Sequence, residues 1–338
     1  MADPLCDLSA IEQARLIGEK QLSPVELMQS TLERIGQIQP ALNPFCFVFD
    51  DEALAAARRA EQAVMRGKRT TRGSAAFEHW VPEHDPPIVR RLLAAGAIMV
   101  GKTTTPEFAY ASFTRSRLWG ITPNPWDPTR TPGGSSGCSG VAVTTGCAAL
   151  VEGTDMGGSV RIPAALCGCV GLKPSLGRIP MDILPTVFDS ISLFGPLART
   201  VDDAALFLRV TEGPDEADIR SQTAPATLPA RLATDLSDLR IAHSTDLGIY
   251  AVDPEVAANL EAVAEALRSA GAVVEPVELD WAIEYVTAWN EMWGVYLAAA
   301  FGGVVPAYRD RMDPAVVALI EAGQRLAVLP RNHCIVLV

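Results

Sequence analysis

Two glycine- and serine-rich stretches constrain this chain more than anything else in it: GGSSGCSG at 133–140 and GTDMGGSVRIP at 153–163. The first packs three serines and four glycines into eight residues, behind the proline-rich approach NPWDPTRTP at 124–132. Apolar segments interrupt the region, among them VAV at 141–143 and CVGL at 169–172. A flexible linker has no use for such segments. Residues 101–200 therefore read as loops and short buried elements packed against a sheet.

The flanks read differently. The N-terminal third is helical: Ser23 is placed to cap a helix with Pro24 at its first position, and Leu27, Leu32 and Ile35 supply an apolar stripe. Residues 51–66, rich in Ala, Glu and Arg, predict a second long helix. Residues 88–95 predict a short helix ended by Gly96, and AIMV at 97–100 a buried strand. Beyond residue 235, strand-like 239–242, a helix opened by Asp253-Pro254 and closed by Gly271, and strand-like 272–274 form a β-α-β unit. Such a unit implies a parallel pair with a right-handed crossover. No repeat of solenoid period is present.

Composition narrows the function classes. At 338 residues and 49% hydrophobic, the chain can bury the core of one large or two medium domains. Charged residues are 20% with no long charge run, which argues against disorder. A net charge of −12 argues against nucleic-acid binding or an anionic membrane surface, since phosphate binding needs clustered Lys and Arg. No apolar run has the length of a bilayer span, and MADPLCDLSA lacks the basic start and apolar core of a signal peptide, so a cytoplasmic location is expected. Seven scattered cysteines read as reduced thiols. Cys167-Gly-Cys169 is too close for a zinc C-x-x-C arrangement and has no nearby His, so no metal is expected.

Two motif matches lack their structural context. GAIMVGKT at 96–103 fits the phosphate-loop pattern, but its four central residues favour a strand where a flexible loop is needed. Residues 133–137 fit the G-x-S-x-G nucleophile elbow, yet the lead-in is proline-rich, not an apolar strand. None of the four histidines (His79, His84, His243, His333) forms an obvious triad with a preceding Asp.

Taken together, the two loops resemble the amidase signature family. GGSSG at 133–137 is followed by GTDMGGSVRIP at 153–163, and the likeness extends to GKTTTPEFAY (101–110), NPWDPTRTPGG (124–134), GLKPSLGRIP (171–180) and GPLARTVDDAALFL (195–208). It covers most of residues 85–280. The resemblance implies an α/β fold, a large mixed sheet flanked by helices, with the serine loops at its centre. It implies hydrolysis of the C–N bond of a small-molecule carboxamide through an acyl-Ser159 intermediate, without cofactor. Ser135, preceded by a cis peptide from Gly134 and within hydrogen-bond reach of Ser159, would relay the Ser159 proton to a lysine. The N–H groups of Met156, Gly157, Gly158 and Ser159 would form an oxyanion hole, with Asp155 and Arg161 fixing the loop and Ser136 and Thr154 bonding around the triad. Paired glycines before Ser159 support this physically, because bare N–H groups can face a developing oxyanion, each worth about 3 kcal/mol. Each residue alone reads as part of a structural Gly/Ser turn; the ordered set carries the inference.

The chain departs from the family pattern in instructive places. Cys138 stands where glycine is usual, Thr144 where a smaller residue is usual, and Val151 where Gly, Ala, Ser or Thr is expected. A side chain at 138 would be strained if that position needed positive φ. The catalytic lysine belongs in a segment resembling G-x-P-x-x-x-K-D, but residues 66–68 run from a helix end directly into RTTRGS, as if that strand were deleted. Of four lysines, Lys20 belongs to the first helical segment, and Lys102 and Lys173 match family lysines outside the triad. Lys68 is the remaining candidate base, although it lies downstream of the catalytic position and reads more readily as a solvated loop lysine. The terminal CIVLV at 334–338 suggests a truncated or frame-shifted end. The expected organisation is one domain over 1–338: a helical N-terminal segment over 1–84 with the deletion near 66–68, a signature core over 85–280 and an incomplete C-terminal segment over 281–338. The activity expected is impaired. The alternatives are a catalytically dead, amide-binding remnant and the A subunit of a tRNA-dependent amidotransferase, which would act with partner chains; a homodimer is also compatible.

Overall fold

The computed structural model describes residues 4–59, 68–184, 190–226, 228 and 235–326. The chain divides into two compact units, one of Met1–Ala226 with Val304–Val317, the other of Thr227–Gly303 with Ala318–Val338.

The first unit opens with α1 (Pro4–Asp7), α2 (Ala10–Gly18) and α3 (Pro24–Leu42). As the sequence predicts, the Ser23 side chain accepts the Val25 N–H at 3.2 Å and Pro24 sits in the first turn of α3. Strand β1 (Phe45–Val48) follows, then α4 (Asp50–Arg59), which lays Ala53 and Ala57 on Met28 of α3. The remainder of the helix predicted over 51–66 lies outside the described residues, as does the terminal 334–338 segment.

Helix α5 (Pro87–Ala94) ends before Gly96 as predicted. The strand predicted at 97–100, however, is displaced to β2 (Gly101–Thr103), which pairs antiparallel with β1 through Phe47↔Lys102 and Val48↔Gly101. The reason is the partner's length. After Phe49 N donates to Val100 O at 2.9 Å, the neighbouring chain turns into α4 and offers 97–99 no ladder. Ile98 and Val100 still pack against Met28, Ala53 and Ala57, so burial is kept without strand pairing.

A small hairpin, β3 (Arg115–Ser116) and β4 (Gly120–Ile121), precedes α6 (Gly137–Thr144). Every residue of α6 from Gly137 to Val143 is buried. Next come β5 (Leu150–Asp155), α7 (Arg161–Cys167), β6 (Val170–Gly171), β7 (Leu193–Ala198) and α8 (Val201–Thr211). The strands form an antiparallel sheet in the order β5-β7-β6, and Val143, Val160, Ala164 and Leu197 build a core cluster beneath it. Asp203 on α8, wholly buried, accepts the N–H groups of Ala10 and Ile11 at 3.1 and 3.0 Å and so caps α2. The fold is α/β, with helices against sheet. Among the described residues the strands assort into this three-stranded sheet and three pairs, β2 having only β1 as a partner.

In the second unit β8 (Arg240–His243), α9 (Pro254–Ser269) and β9 (Val273–Pro276) form the predicted β-α-β unit, with β8 and β9 parallel. Asp253 caps α9 by accepting the Glu255 N–H at 2.9 Å, and Ala264, Ala272 and Val274 form its core. Helix α10 (Glu284–Phe301) belongs to this unit, α11 (Val305–Tyr308) to the first, and α12 (Pro314–Leu326) begins in the first and ends in the second.

Candidate active site

Strand β5 delivers the second serine loop and ends on the residue that shapes it. The Asp155 side chain is fully buried and accepts Gly158 N at 2.8 Å, Val160 N at 3.2 Å, and Arg161 Nε and Nη2 at 3.0 and 2.8 Å. Burial alone would raise its carboxyl; the charge-assisted bonds from Arg161 and the two N–H groups outweigh it and hold it below the usual carboxylate range. Gly158 has φ +113°, and a Cβ there would lie 2.8 Å from Ile162 Cδ1, so only glycine fits. With Gly158 N–H committed to Asp155, the N–H groups of Met156, Gly157 and Ser159 have no hydrogen-bond partner among the described residues. Three of the four predicted oxyanion donors are thus unengaged.

The first serine loop leads into α6. The Gly134–Ser135 peptide is cis, and Ser135 is buried. A Cβ on Gly134 would stand 2.6 Å from Phe113 N, which explains a glycine there. The other two serines close the open edge of β5. Ser136 Oγ accepts Thr154 N at 3.3 Å and lies 3.4 Å from Thr154 O, while Ser139 Oγ donates to Glu152 O at 3.1 Å and bonds Thr103 Oγ1 at 3.0 Å. The loops meet where Ser136 N donates to Ser159 O at 3.2 Å. The expected hydroxyl contact is not formed: Ser135 Oγ and Ser159 Oγ make no hydrogen bond to each other or to another described residue, and Ser135 is held through its carbonyl by Thr105 Oγ1 at 3.4 Å.

The three departures from the family pattern each find a place. Cys138 lies in the first turn of α6 with ordinary helical φ, so the strain foreseen for it is absent. Its thiol meets Thr122 Oγ1 at 2.8 Å, and burial pushes it up to about 12. Thr144 Oγ1 donates to Cys167 O at 3.1 Å, tying α6 to α7, and Val151 packs into the core beside Val143 and Val160.

The side chains of Lys68, Lys102 and Lys173 bond to groups other than the two serine loops. Lys68 Nζ pairs with Glu52 Oε1 and sits 4.5 Å from the Phe49 ring centroid. Lys102 Nζ donates to Lys68 O at 3.2 Å, Arg69 O at 3.1 Å and Thr70 Oγ1, and burial holds its amine below the usual lysine range. Lys173 Nζ bonds Pro174 O at 2.9 Å. Among the described residues, no lysine or histidine side chain hydrogen-bonds Ser135 or Ser159. The structure instead adds acidic residues that the motifs do not point to. Glu152, partly buried on β5, has its carboxyl pushed up to about 7 by burial, against the opposing charge of Lys102. Glu107 is 2% exposed and joins Ser74 to residue 313. The signal for Glu152 was an acidic residue set in a buried strand; for Glu107 it was an acid between Pro106 and Phe108 in an otherwise apolar turn.

Among the described residues, no helix is long and apolar enough to cross a membrane. The sequence model of the Amidase family matches residues 26–303. The A subunit of the glutamyl-tRNA(Gln) amidotransferase of Thermosynechococcus vestitus is 38% identical over 290 residues, covering 79% of this chain and 60% of that protein. Its namesake from Chloroflexus aurantiacus is 36% identical over 296 residues, covering 80% and 60%. The chain thus spans about 60% of the length of these curated relatives. Among solved structures, a bacterial aryl acylamidase of the amidase signature enzymes superposes with TM-score 0.89 at 26% identity, covering 97% of this chain and 74% of that one. A 6-aminohexanoate cyclic dimer hydrolase gives 0.83 at 27% identity, covering 95% and 72%. Motif order, fold and sequence agree, and the chain belongs to the amidase signature family.

Proposed function

We propose that this chain carries the acyl-forming half of an amide hydrolase, acting on a small-molecule carboxamide. The observation that carries the reading is the Asp155-fixed loop, in which the N–H groups of Met156, Gly157 and Ser159 have no hydrogen-bond partner among the described residues. Ser159 Oγ attacks the amide carbonyl carbon; the carbonyl oxygen takes the negative charge and is met by those N–H groups, each worth about 3 kcal/mol. The C–N bond then breaks, the amine leaves with a proton, and water releases the acid from the acyl-Ser159 ester. Ser135, whose hydroxyl must first turn toward Ser159, is the relay for the Ser159 proton, and among the described residues no lysine hydrogen-bonds either serine: Lys68 is engaged by Glu52 and Phe49. General-base assistance is worth about 10²–10⁴-fold, so turnover by this chain is expected to be slow and the oxyanion donors to supply most of what remains.

The relatives' shared name favours a second reading, an amidotransferase A subunit that works beside partner chains. An amide-binding protein without turnover is the third. A fluorophosphonate probe separates them. Slow labelling at Ser159, lost in Ser159→Ala, supports the acyl-forming reading. Labelling at Ser135 or Ser139 reverses the assignment, and no labelling favours the binding protein. Turnover that appears only on adding the other chains of an intact amidotransferase supports the second reading.

A further inference from the structure

We infer that Glu107 is a positioning residue for Ser135: it clamps residues 105–114 into the cradle against which the Gly134–Ser135 peptide is seated. The inference rests on the reading of Ser135 as part of the active site.

Glu107 ties together three stretches remote in sequence. Its Oε1 accepts Ser74 Oγ at 2.6 Å and its Oε2 accepts the Asp313 N–H at 2.6 Å. Asp313 in turn accepts Tyr110 OH at 3.0 Å and Ala315 N at 2.9 Å, with Arg115 Nε 3.7 Å away. All these residues belong to the first unit.

What the clamp holds is strained. Phe108 (φ 53°) and Ala109 (φ 57°) are consecutive non-glycine residues in the left-handed region, where an L side chain crowds its own backbone. Such a pair persists only where its surroundings enforce it. Here the Phe108 N–H donates to Arg72 O at 2.9 Å, its ring meets Phe77 edge-on at 5.9 Å, and Glu107 anchors the preceding residue.

The turn brings the chain back across the first serine loop. Thr105 Oγ1 reaches Ser135 O at 3.4 Å from one side, and Thr114 Oγ1 donates to Gly133 O at 2.8 Å from the other. Between them Ala111 O and Phe113 N lie so close to Gly134 that a Cβ there would stand 2.7 and 2.6 Å from them. Residues 105–114 thus bracket residues 133–135. A buried carboxylate is an unfavourable filler, and burial with Asp313 nearby raises the Glu107 carboxyl against bonds from Ser74 and Asp313 N–H and the charge of Arg117. An apolar residue would fill the space but could not bind both segments.

The test uses the full chain labelled with ¹⁵N-glycine, in Glu107→Gln, Ser74→Ala and, as a control lesion remote from the loop, Asp203→Asn. The Gly133 and Gly134 amide resonances should move in Glu107→Gln, move less in Ser74→Ala, and stay in Asp203→Asn at comparable loss of thermal stability. Fluorophosphonate labelling of Ser159 should slow at least tenfold in Glu107→Gln and less in Ser74→Ala. If Glu107→Gln does not fold, Ser74→Ala decides. Unmoved glycine resonances, or equal movement in Asp203→Asn, overturn the inference whatever the labelling does. If the parent chain is never labelled, the active-site reading fails, while the resonances still report on the clamp.

Discussion

The Ser136 N–H donates to the Ser159 carbonyl at 3.2 Å, and the same serine's hydroxyl bonds the backbone of Thr154. One residue of the first serine loop therefore holds both the strand that delivers Ser159 and Ser159 itself. The motif order along the chain has a physical meaning here: GGSSG supplies, in Ser136, a side chain that serves as edge partner to the strand preceding GGS. The loops are two halves of one construction, and each can be tested through the residues that join or shape it.

Asp155→Asn should destabilise the protein by about 2–3 kcal/mol, since hydrogen bonds to a charged acceptor are worth about 1.5–3 kcal/mol and several are weakened together. It should also abolish fluorophosphonate labelling although Ser159 is intact, because Gly158 N–H and the Arg161 side chain lose the carboxylate that orders the loop. Urea denaturation and labelling check both effects. Undiminished labelling would show that the loop holds its shape without Asp155.

Gly158→Ala tests backbone conformation separately from space. At φ +113° an L side chain is strained by roughly 1–3 kcal/mol, and its Cβ also meets Ile162 Cδ1 at 2.8 Å. Trimming the neighbour in Gly158→Ala/Ile162→Val should recover only the steric share of the loss, measured by denaturation against Ile162→Val alone. Full recovery would mean the φ value carries no penalty.

The two lysines near residue 68 should behave oppositely to their sequence prominence. Lys102→Met removes three donations to residues 68–70 and should cost about 2 kcal/mol. Lys68→Met removes an ion pair with the exposed Glu52 and a contact with the Phe49 ring, so it should cost less stability than Lys102→Met and leave Ser159 labelling unchanged. A labelling loss confined to Lys68→Met would make Lys68 the base after all.

Much of this architecture is legible in the sequence. The caps at Ser23 and Asp253 and the parallel β8–β9 pair follow from local chemistry and apolar periodicity. The serine loops are legible because their glycines answer to backbone demands that no other residue meets. Where the sequence misleads, pairing partners decide. AIMV at 97–100 has strand composition, but a strand needs a ladder, and the opposite chain turns away at Asp50. Cys138 departs from the residue usual at that position, yet helical φ at 138 removes the constraint. Glu107 and Glu152 stand out locally only as acids in apolar settings; what they do depends on residues far along the chain, which no local pattern encodes.

Glu152 gives the clearest pH dependence. Its carboxyl is raised to about 7 from an ordinary value of 4.5 because burial disfavours the charged form, with Lys102 opposing. A carboxyl whose folded value is raised binds its proton more tightly in the native state, so the native state is favoured below pH 4.5. That advantage is lost as pH climbs from about 4.5 through about 7. At about 1.4 kcal/mol per unit the loss has a ceiling of about 3.5 kcal/mol, and solvent access to this partly buried group brings the expectation to about 1–2 kcal/mol. Glu152→Gln abolishes the titration. The parent and Glu152→Gln should therefore differ little in urea midpoint at pH 5, and the glutamine variant should be the more stable by about 1–2 kcal/mol at pH 8. In a Lys102→Met background the cation that eases the ionised form is gone, so the parent's decline should still begin near pH 4.5 but extend to higher pH and grow in total. A parent whose stability relative to Glu152→Gln stays flat or rises between pH 5 and 8 would show that the Glu152 carboxylate is solvated.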